Sequence, residues 1–324
     1  MAELRYLLLF AILFVSSSSF SQPVNSDLIN GDQLDLKYRP EIGVTKSFKL
    51  VDRYSLYTHS KSLDEIYEYE SIEWSYFKIT PVLLNKDGSF ICNIFIDSIS
   101  IYSEENEEGV EVIESYSSNV KNDLFYSDDY LLYSIMAGKQ FSAKISPRGK
   151  IRDVFSLEEV VEYYETLLNE KLNSSDNLDV KIAVTNNYIE PLLFSVFLEL
   201  PQNETEINNS WENVENDDLD YFSIESKYVY TPVRQFEQNN DLYVEIDGTA
   251  SISYKKNPDA EFNITVKTVK QNNTGNTVIN LSTGFPHKRS GNLNLEYNMT
   301  SPGEEYEIEI YQKLESSSVL EGND

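Results

Sequence analysis

The chain has 324 residues, with 26 basic and 54 acidic side chains and a net charge of −28 at neutral pH. That balance excludes a nucleic-acid or anionic-membrane surface of the usual kind, because polyanions are held by clustered Lys and Arg. It suits solubility and cationic partners. A single cysteine excludes an internal disulfide, and 12 glycines supply no phosphate-cradling loop.

In chain order, the first element is an export signal over residues 1–21. Arg5 gives a basic start, Tyr6 to Val15 is an unbroken apolar run, and Ser19-Phe20-Ser21 fits a small-x-small cleavage pattern ahead of Gln22. The run is too short to span a bilayer, which takes about 20 apolar residues. No cysteine follows it to carry a lipid, and no transmembrane segment is read in the mature chain. The expectation is an exported protein, periplasmic or extracellular and not lipid-anchored. Cysteine poverty fits a bacterial envelope protein better than an extracellular eukaryotic domain. Residues 22–33 read as a disordered linker.

A first β section is expected over residues 34–155. Leu36 to Tyr57 and Ile66 to Leu84 are dense in β-branched and aromatic residues, and Asn85-Lys86-Asp87-Gly88 is a hairpin signal before a strand from Phe90 to Tyr102. The acidic stretch Glu104 to Gly109 reads as a loop. A second hairpin turns at Pro147-Arg148-Gly149.

Residues 156–201 read as helical. Ser156-Leu157-Glu158-Glu159 has the form of a capping box, and Leu157, Val160, Val161, Tyr164, Leu167 and Leu168 recur at helical spacing. A break is expected at Asn173 to Asp176, then a second helix. A third is expected after Asn187, with Pro191 in its first turn and the stripe Ile189, Leu192, Leu193, Val196, Phe197 and Leu200. Residues 202–218 read as an Asn- and acid-rich connector.

The last β section, 219–315, carries the clearest pattern. Leu242, Val244, Ile246, Ala250, Ile252 and Tyr254 alternate with polar residues, as do Phe262 to Val266, Leu293 to Met299 and Tyr306 to Ile310. Turn signals fall at Asn257-Pro258-Asp259, Asn273-Thr274-Gly275, Arg289-Ser290-Gly291 and Ser301-Pro302-Gly303. Residues 316–324 read as a disordered tail. The fold class that follows is α+β: two antiparallel β-meander sections joined by a central segment of two or three amphipathic helices, a half-barrel-like pair being one arrangement of them.

Several short features, in order, resemble an uncharacterised domain-of-unknown-function family of secreted or lipid-anchored, β-rich envelope proteins of Gram-negative bacteria. They are Gly43 ahead of Phe48, Gly138-Lys139-Gln140-Phe141, Pro147-Arg148-Gly149, Pro201 after the last helix, and Trp211 opening the second β section. The likeness spans about residues 34–315. This chain departs from the anchored members in lacking their cysteine, and Asn209-Ser210 stands where a glycine is expected. The resemblance implies fold and compartment and brings no activity.

No chemistry-bearing constellation is legible. The histidines, His59 and His287, are isolated, with no nucleophile-elbow motif. Cys92 lies in the apolar run Phe90 to Ile96 and reads as a small hydrophobe. The acidic clusters Glu104–Glu108 and Asp217-Asp218-Leu219-Asp220 lack the spaced form of a calcium loop and read as solvated. The sequence therefore predicts a non-catalytic protein with no cofactor and no metal. Its apolar sheet faces, with helices available as a lid, point to a lipid or other apolar ligand lined by Leu193, Phe197, Leu242, Val244 and Ile252. The alternative is an interaction protein that holds an envelope protein or glycan through exposed aromatics and acidic loops.

Overall fold

The computed structural model describes residues 33–323 apart from 63, 108, 170, 219–221, 257–263 and 303–306. The export signal, nearly all of the linker, the turn at 257–259 and Gly303 of the Ser-Pro-Gly turn lie outside the described residues.

Among the described residues thirteen strands form one antiparallel sheet: β1 (Lys46–Ser60), β2 (Glu65–Leu84), β3 (Phe90–Glu107), β4 (Val110–Ser117), β5 (Gln140–Ile145), β6 (Ile151–Phe155), β7 (Trp211–Asp218), β8 (Phe222–Gln238), β9 (Asp241–Lys256), β10 (Thr265–Gln271), β11 (Asn273–Asn280), β12 (Pro286–Pro302) and β13 (Glu307–Asn323). The order across the sheet is β6-β5-β3-β2-β1-β13-β12-β11-β9-β8-β7, with β4 beside the far half of β3 and β10 beside that of β12. Four helices pack on one face: α1 (Asp128–Met136), α2 (Glu158–Leu168), α3 (Ser174–Val184) and α4 (Glu190–Val196).

This overturns the α+β reading. The two β sections are not separate meanders. β1 and β13, from opposite ends of the chain, pair over the full register from Ser47↔Asn323 to Ser60↔Ile310 and weld them into a single β-rich sheet. The expected disordered tail is the second half of β13. Its Ser-rich sequence is a strand because Leu314 and Leu320 are buried while β1 and β12 satisfy both of its edges. The Glu104–Glu107 stretch is likewise strand, paired on both sides by β2 and β4, and the connector already holds β7.

Strand parity separates the faces. Phe48, Leu50, Asp52, Tyr54 and Leu56 of β1 face inward, opposite Phe77, Ser75, Glu73, Ser71 and Tyr69 of β2. The helices cover one half of this inner face. Their core contains Phe48, Leu50, Phe77, Ile79, Ile94, Ile96, Leu192, Leu193, Val196, Phe197 and Val244.

The other half is covered by the sheet itself. β9 runs beside β11 as far as Asn273↔Ala250, and beyond that point its ladder stops. Side-chain amides take over there: Gln271 accepts from the Ile252 amide at 2.8 Å, and Asn273 donates to the Ala250 carbonyl at 3.2 Å while accepting from the Asn294 amide at 3.1 Å. The sheet folds at this split, so Ile224, Ile252 and Tyr254 of β8 and β9 pack onto Leu295, Tyr297 and Leu314 in a second core, with the Tyr254 and Tyr297 rings 5.9 Å apart. A long sheet of this width must curl, and here it rolls onto its own inner face.

The helices begin differently from the sequence reading. Ser156 has φ +64° and does not cap; Leu157 precedes α2 without a side-chain cap. Asn173 caps α3 by accepting from the amides of Ser175 and Asp176. Asn187 caps nothing, because α3 continues through a π-turn, Thr185–Ile189, straight into α4. Pro191 explains the wide turn: it has no amide for the Asn187 carbonyl.

An N-terminal strap closes this end. Leu34 bridges Thr205, the Tyr38 amide donates to Pro147 at 2.9 Å, and the Arg39 amide donates to Thr283 at 2.7 Å. The Tyr38 ring meets Phe197 and Phe285 edge-on. Gly149 and Gly284, both at positive φ, make room for it: a Cβ at Gly284 would overlap the backbone of Lys37 and Tyr38, and one at Gly149 the Leu198 carbonyl.

Candidate functional site

Between the two cores the inner face is only partly covered. One row across the strands runs Glu73 (β2), Asp52 (β1), Ser318 (β13), Gly291 (β12), Gly275 (β11), Gly248 (β9), Tyr230 (β8) and Trp211 (β7). Beside it, on β2, β1 and β13, lie Ser71, Tyr54 and Ser316. Leu50 and Leu320 on one flank and Leu293 and Leu314 on the other are buried. Asp52, Glu73, Ser318, Ser316, Tyr54, Gly275, Gly248 and Tyr230 keep part of their surface in solvent. The result is a groove floored by Ser and Gly, with Tyr54 and Tyr230 in its lining and the leucines on either side buried in the two cores.

Asp52 and Glu73 are cross-strand neighbours at one end, where adjacent inward side chains come within about 5 Å. Burial pushes Asp52 up to about 6, opposed by a hydrogen bond from Ser318. Burial, and then the charge of Asp52, push Glu73 up to about 7. Two carboxyls this close resist ionising together. Hydroxyls surround Glu73: Ser75 donates to it at 2.8 Å, and Tyr133 of α1 also hydrogen-bonds it. Tyr188 reaches in from the π-turn, its hydroxyl 3.5 Å from that of Ser75 and its ring edge-on to Tyr133. Beyond them Tyr116 stacks on Tyr130, which donates to Glu114 at 2.8 Å. The negative charge of Glu73 and burial raise Tyr133 well above a free phenol; burial first, then Glu73, does the same for Tyr188. These phenols donate and do not ionise.

At the other end, Tyr228, Tyr230, Gly248, Gly275, Thr277 and Arg289 line a small cavity of about 30 Å³. The Tyr230 ring lies over Gly248, 3.3 Å from where a Cβ would stand. Trp211 stacks obliquely on Tyr230, and its indole N–H donates to the Glu199 carbonyl at 3.1 Å, fastening β7 to the chain after α4.

The five residues expected to line an apolar site do not come together. Leu193, Phe197 and Val244 lie in the helix-covered core, with Leu193 and Val244 at 0 % exposure, so this interface is filled. Ile252 belongs to the second core. Leu242 is half-buried, its carbonyl accepting from the Leu281 amide. Cys92 is fully buried, and desolvation drives its thiol pKa far up. His59 lies 3.7 Å from Asp64, and the His287 ring packs on Tyr243. Among the described residues no group of three or more His, Cys, Asp or Glu is placed to hold a metal ion. Sequence reasoning missed Asp52 and Glu73. The signal was there: each is a carboxylate on the inward parity of a strand whose neighbours at i±2 are apolar or hydroxyl-bearing.

Fold and groove together define a β-rich protein: a single rolled antiparallel sheet with helices on part of its inner face and an accessible polar–aromatic groove beside them. The chain belongs to the family of unknown function DUF6263, which it matches over residues 87–286, more than half of its length. No curated protein matches the sequence. Among solved structures, it is similar to lipovitellin, in a structure described by its lipid–protein interactions, at 10% identity and a TM-score of 0.42, over 88% of this chain and 26% of lipovitellin. The chain thus spans about a quarter of that protein. It is also similar to an outer membrane channel from Pseudomonas putida F1 (6% identity, TM-score 0.23, 91% of this chain and 100% of that one) and to OccK7 of Pseudomonas aeruginosa (7%, 0.24, 85% and 98%). Likenesses at this level carry no functional argument.

Proposed function

We propose that this chain is an exported, non-catalytic binding protein that holds an amphipathic ligand, a lipid or acyl chain, in the groove on the inner face of its rolled sheet. The observation that carries this reading is the inward row from Glu73 to Tyr230, whose residues other than Gly291 keep part of their surface in solvent between two filled cores. The helix–sheet interface, where an apolar ligand was first expected, has no room. The groove offers the partly exposed rings of Tyr54 and Tyr230 for a chain and hydroxyls and carboxyls for its polar part, the mixture that small-molecule sites show. Small floor residues leave a width that Ser318 or Gly291 would lose if either were large.

Native mass spectrometry of the protein recovered from a secreting bacterial host tests this. The exported form should begin at Gln22 and carry a lipid-sized adduct that organic extraction removes. Ser318→Trp, which fills the floor, should be folded and empty. A wild-type protein that is ligand-free and takes up no acyl chain would overturn the proposal. A second reading, docking of an envelope protein or glycan, is favoured by one feature of the outer face: Ile66, Tyr76 and Tyr102 of β2 and β3 are 44 %, 40 % and 36 % exposed there. It predicts binding that survives Ser318→Trp and is lost in Tyr76→Ala.

A further inference from the structure

The cavity at the β8 end of the groove contains a charge imbalance. The half-buried arginines Arg148 and Arg234 each meet a carboxylate: Arg148 lies 3.0 Å from Asp35, and Arg234 pairs with Glu245. Arg289 is half-buried too, on the inner face of β12. Among the described residues it has no carboxylate in ion-pair contact, in a chain with 54 acidic side chains. Its Nη1 donates to the Phe194 carbonyl and, at 3.4 Å, to that of Ser195, at the C-terminal end of α4. A helix end offsets about half a charge, and a guanidinium has five donors. The remaining charge and donors face a cavity whose other walls are Tyr228, Tyr230, Gly248, Gly275 and Thr277.

Its volume of about 30 Å³ suits a group of two or three heavy atoms rather than a chain. Gly248 and Gly275 bring no side chain into it, and a Cβ on Gly248 would stand a tight 3.3 Å from the Tyr230 ring. Tyr230 lies close enough to Arg289 for the cation to pull against the rise that burial imposes on its phenol. A cation with no carboxylate in ion-pair contact among the described residues, lining a small cavity at one end of the groove row, is complementary to a compact oxyanion.

We propose that Arg289, with Tyr230 in the same lining, seats the anionic oxygens of the ligand's head, those of a carboxylate or of a phosphate whose remainder stays outside the cavity. This rests on the groove reading and adds the charge of the ligand's polar end.

The test measures thermal shift and calorimetric affinity on the full mature chain with three probes: laurate below its micelle concentration, 1-dodecanol and inorganic phosphate. Wild type should bind laurate at least tenfold more tightly than dodecanol. Arg289→Met should lose that preference while still binding dodecanol, and Arg289→Lys, which keeps the charge, should retain part of it. If Arg289→Met does not fold, the laurate-to-dodecanol ratio in wild type and its fall with added salt still read the charge. Equal binding of the two probes, unmoved by Arg289→Met, would overturn the oxyanion seat and leave the groove standing. Phosphate binding that depends on Arg289, without laurate binding, would support the seat and sink the acyl-chain reading. No binding of any probe would sink both.

Discussion

Replacing Glu73 by Gln should make the protein more stable at pH 8 and leave it nearly unchanged at pH 4.5. In the folded chain Glu73 titrates at about 7 against an ordinary 4.5, and Asp52 at about 6 against 3.8. Both bind their protons more tightly folded than unfolded. Their contribution is therefore fully present below pH 4, is lost as pH rises from about 4 to 7, and stays lost above that. At about 1.4 kcal/mol per pH unit, Glu73 alone accounts for about 3 kcal/mol. Part of that is the mutual repulsion with Asp52, and both groups still touch water, so a gain of about 2 kcal/mol at pH 8 is the working figure. The amide keeps the shape of the carboxyl and can still accept from Ser75 or Tyr133. Urea titrations of both proteins at pH 4.5, 6 and 8 measure the difference directly. A glutamine variant less stable by the same amount at every pH would mean that Glu73 is held as a charged partner, and the description of this end of the groove would be wrong.

Leu193→Asp should cost more than about 4 kcal/mol, since it places a carboxylate at a fully buried helix position, whereas exposed Glu162→Ala in α2 should stay within about 0.5 kcal/mol; chemical denaturation of the pair checks which helix faces are buried. Gly284→Ala should destabilise by about 2–4 kcal/mol, because its Cβ meets the strap backbone and its φ is +78°; faster proteolysis near Tyr38 would report the release. Asn273→Ala should cost about 2–3 kcal/mol, leaving the Ala250 carbonyl and the Asn294 amide unpaired at the split in the sheet; hydrogen exchange should rise at Asn294, and an unchanged rate would mean that water replaces the side chain.

Period-2 alternation made the strands legible, and with them the inward residues Val244, Ile246, Ile252, Leu293 and Leu295. Helical spacing did the same for the stripe of α4 and for that of α2 except Leu168, which is exposed. Pairing was not legible. β1 and β13 lie more than two hundred residues apart, and alternation states which face a residue occupies without stating which strand lies beside it. The serines of β13 looked like a tail because Ser316 and Ser318 face the groove, where burial no longer demands an apolar side chain, and Ser317 faces the other way. Helix α1 was invisible, its tyrosines and hydroxyl residues giving no clean stripe. Asp52 and Glu73 were overlooked among 54 acidic residues because composition hides what strand parity reveals.

The central claim is that the ligand lies on the inner face, between the two cores. A crystal of the protein grown with 12-bromododecanoate locates it without ambiguity, because anomalous scattering marks the bromine. A single bromine is expected above Ser318 and Gly291 of the row and the neighbouring Ser316, with the carboxylate at Arg289. A bromine against Tyr76 and Tyr102 on the outer face, or none at a concentration that saturates binding, would contradict it.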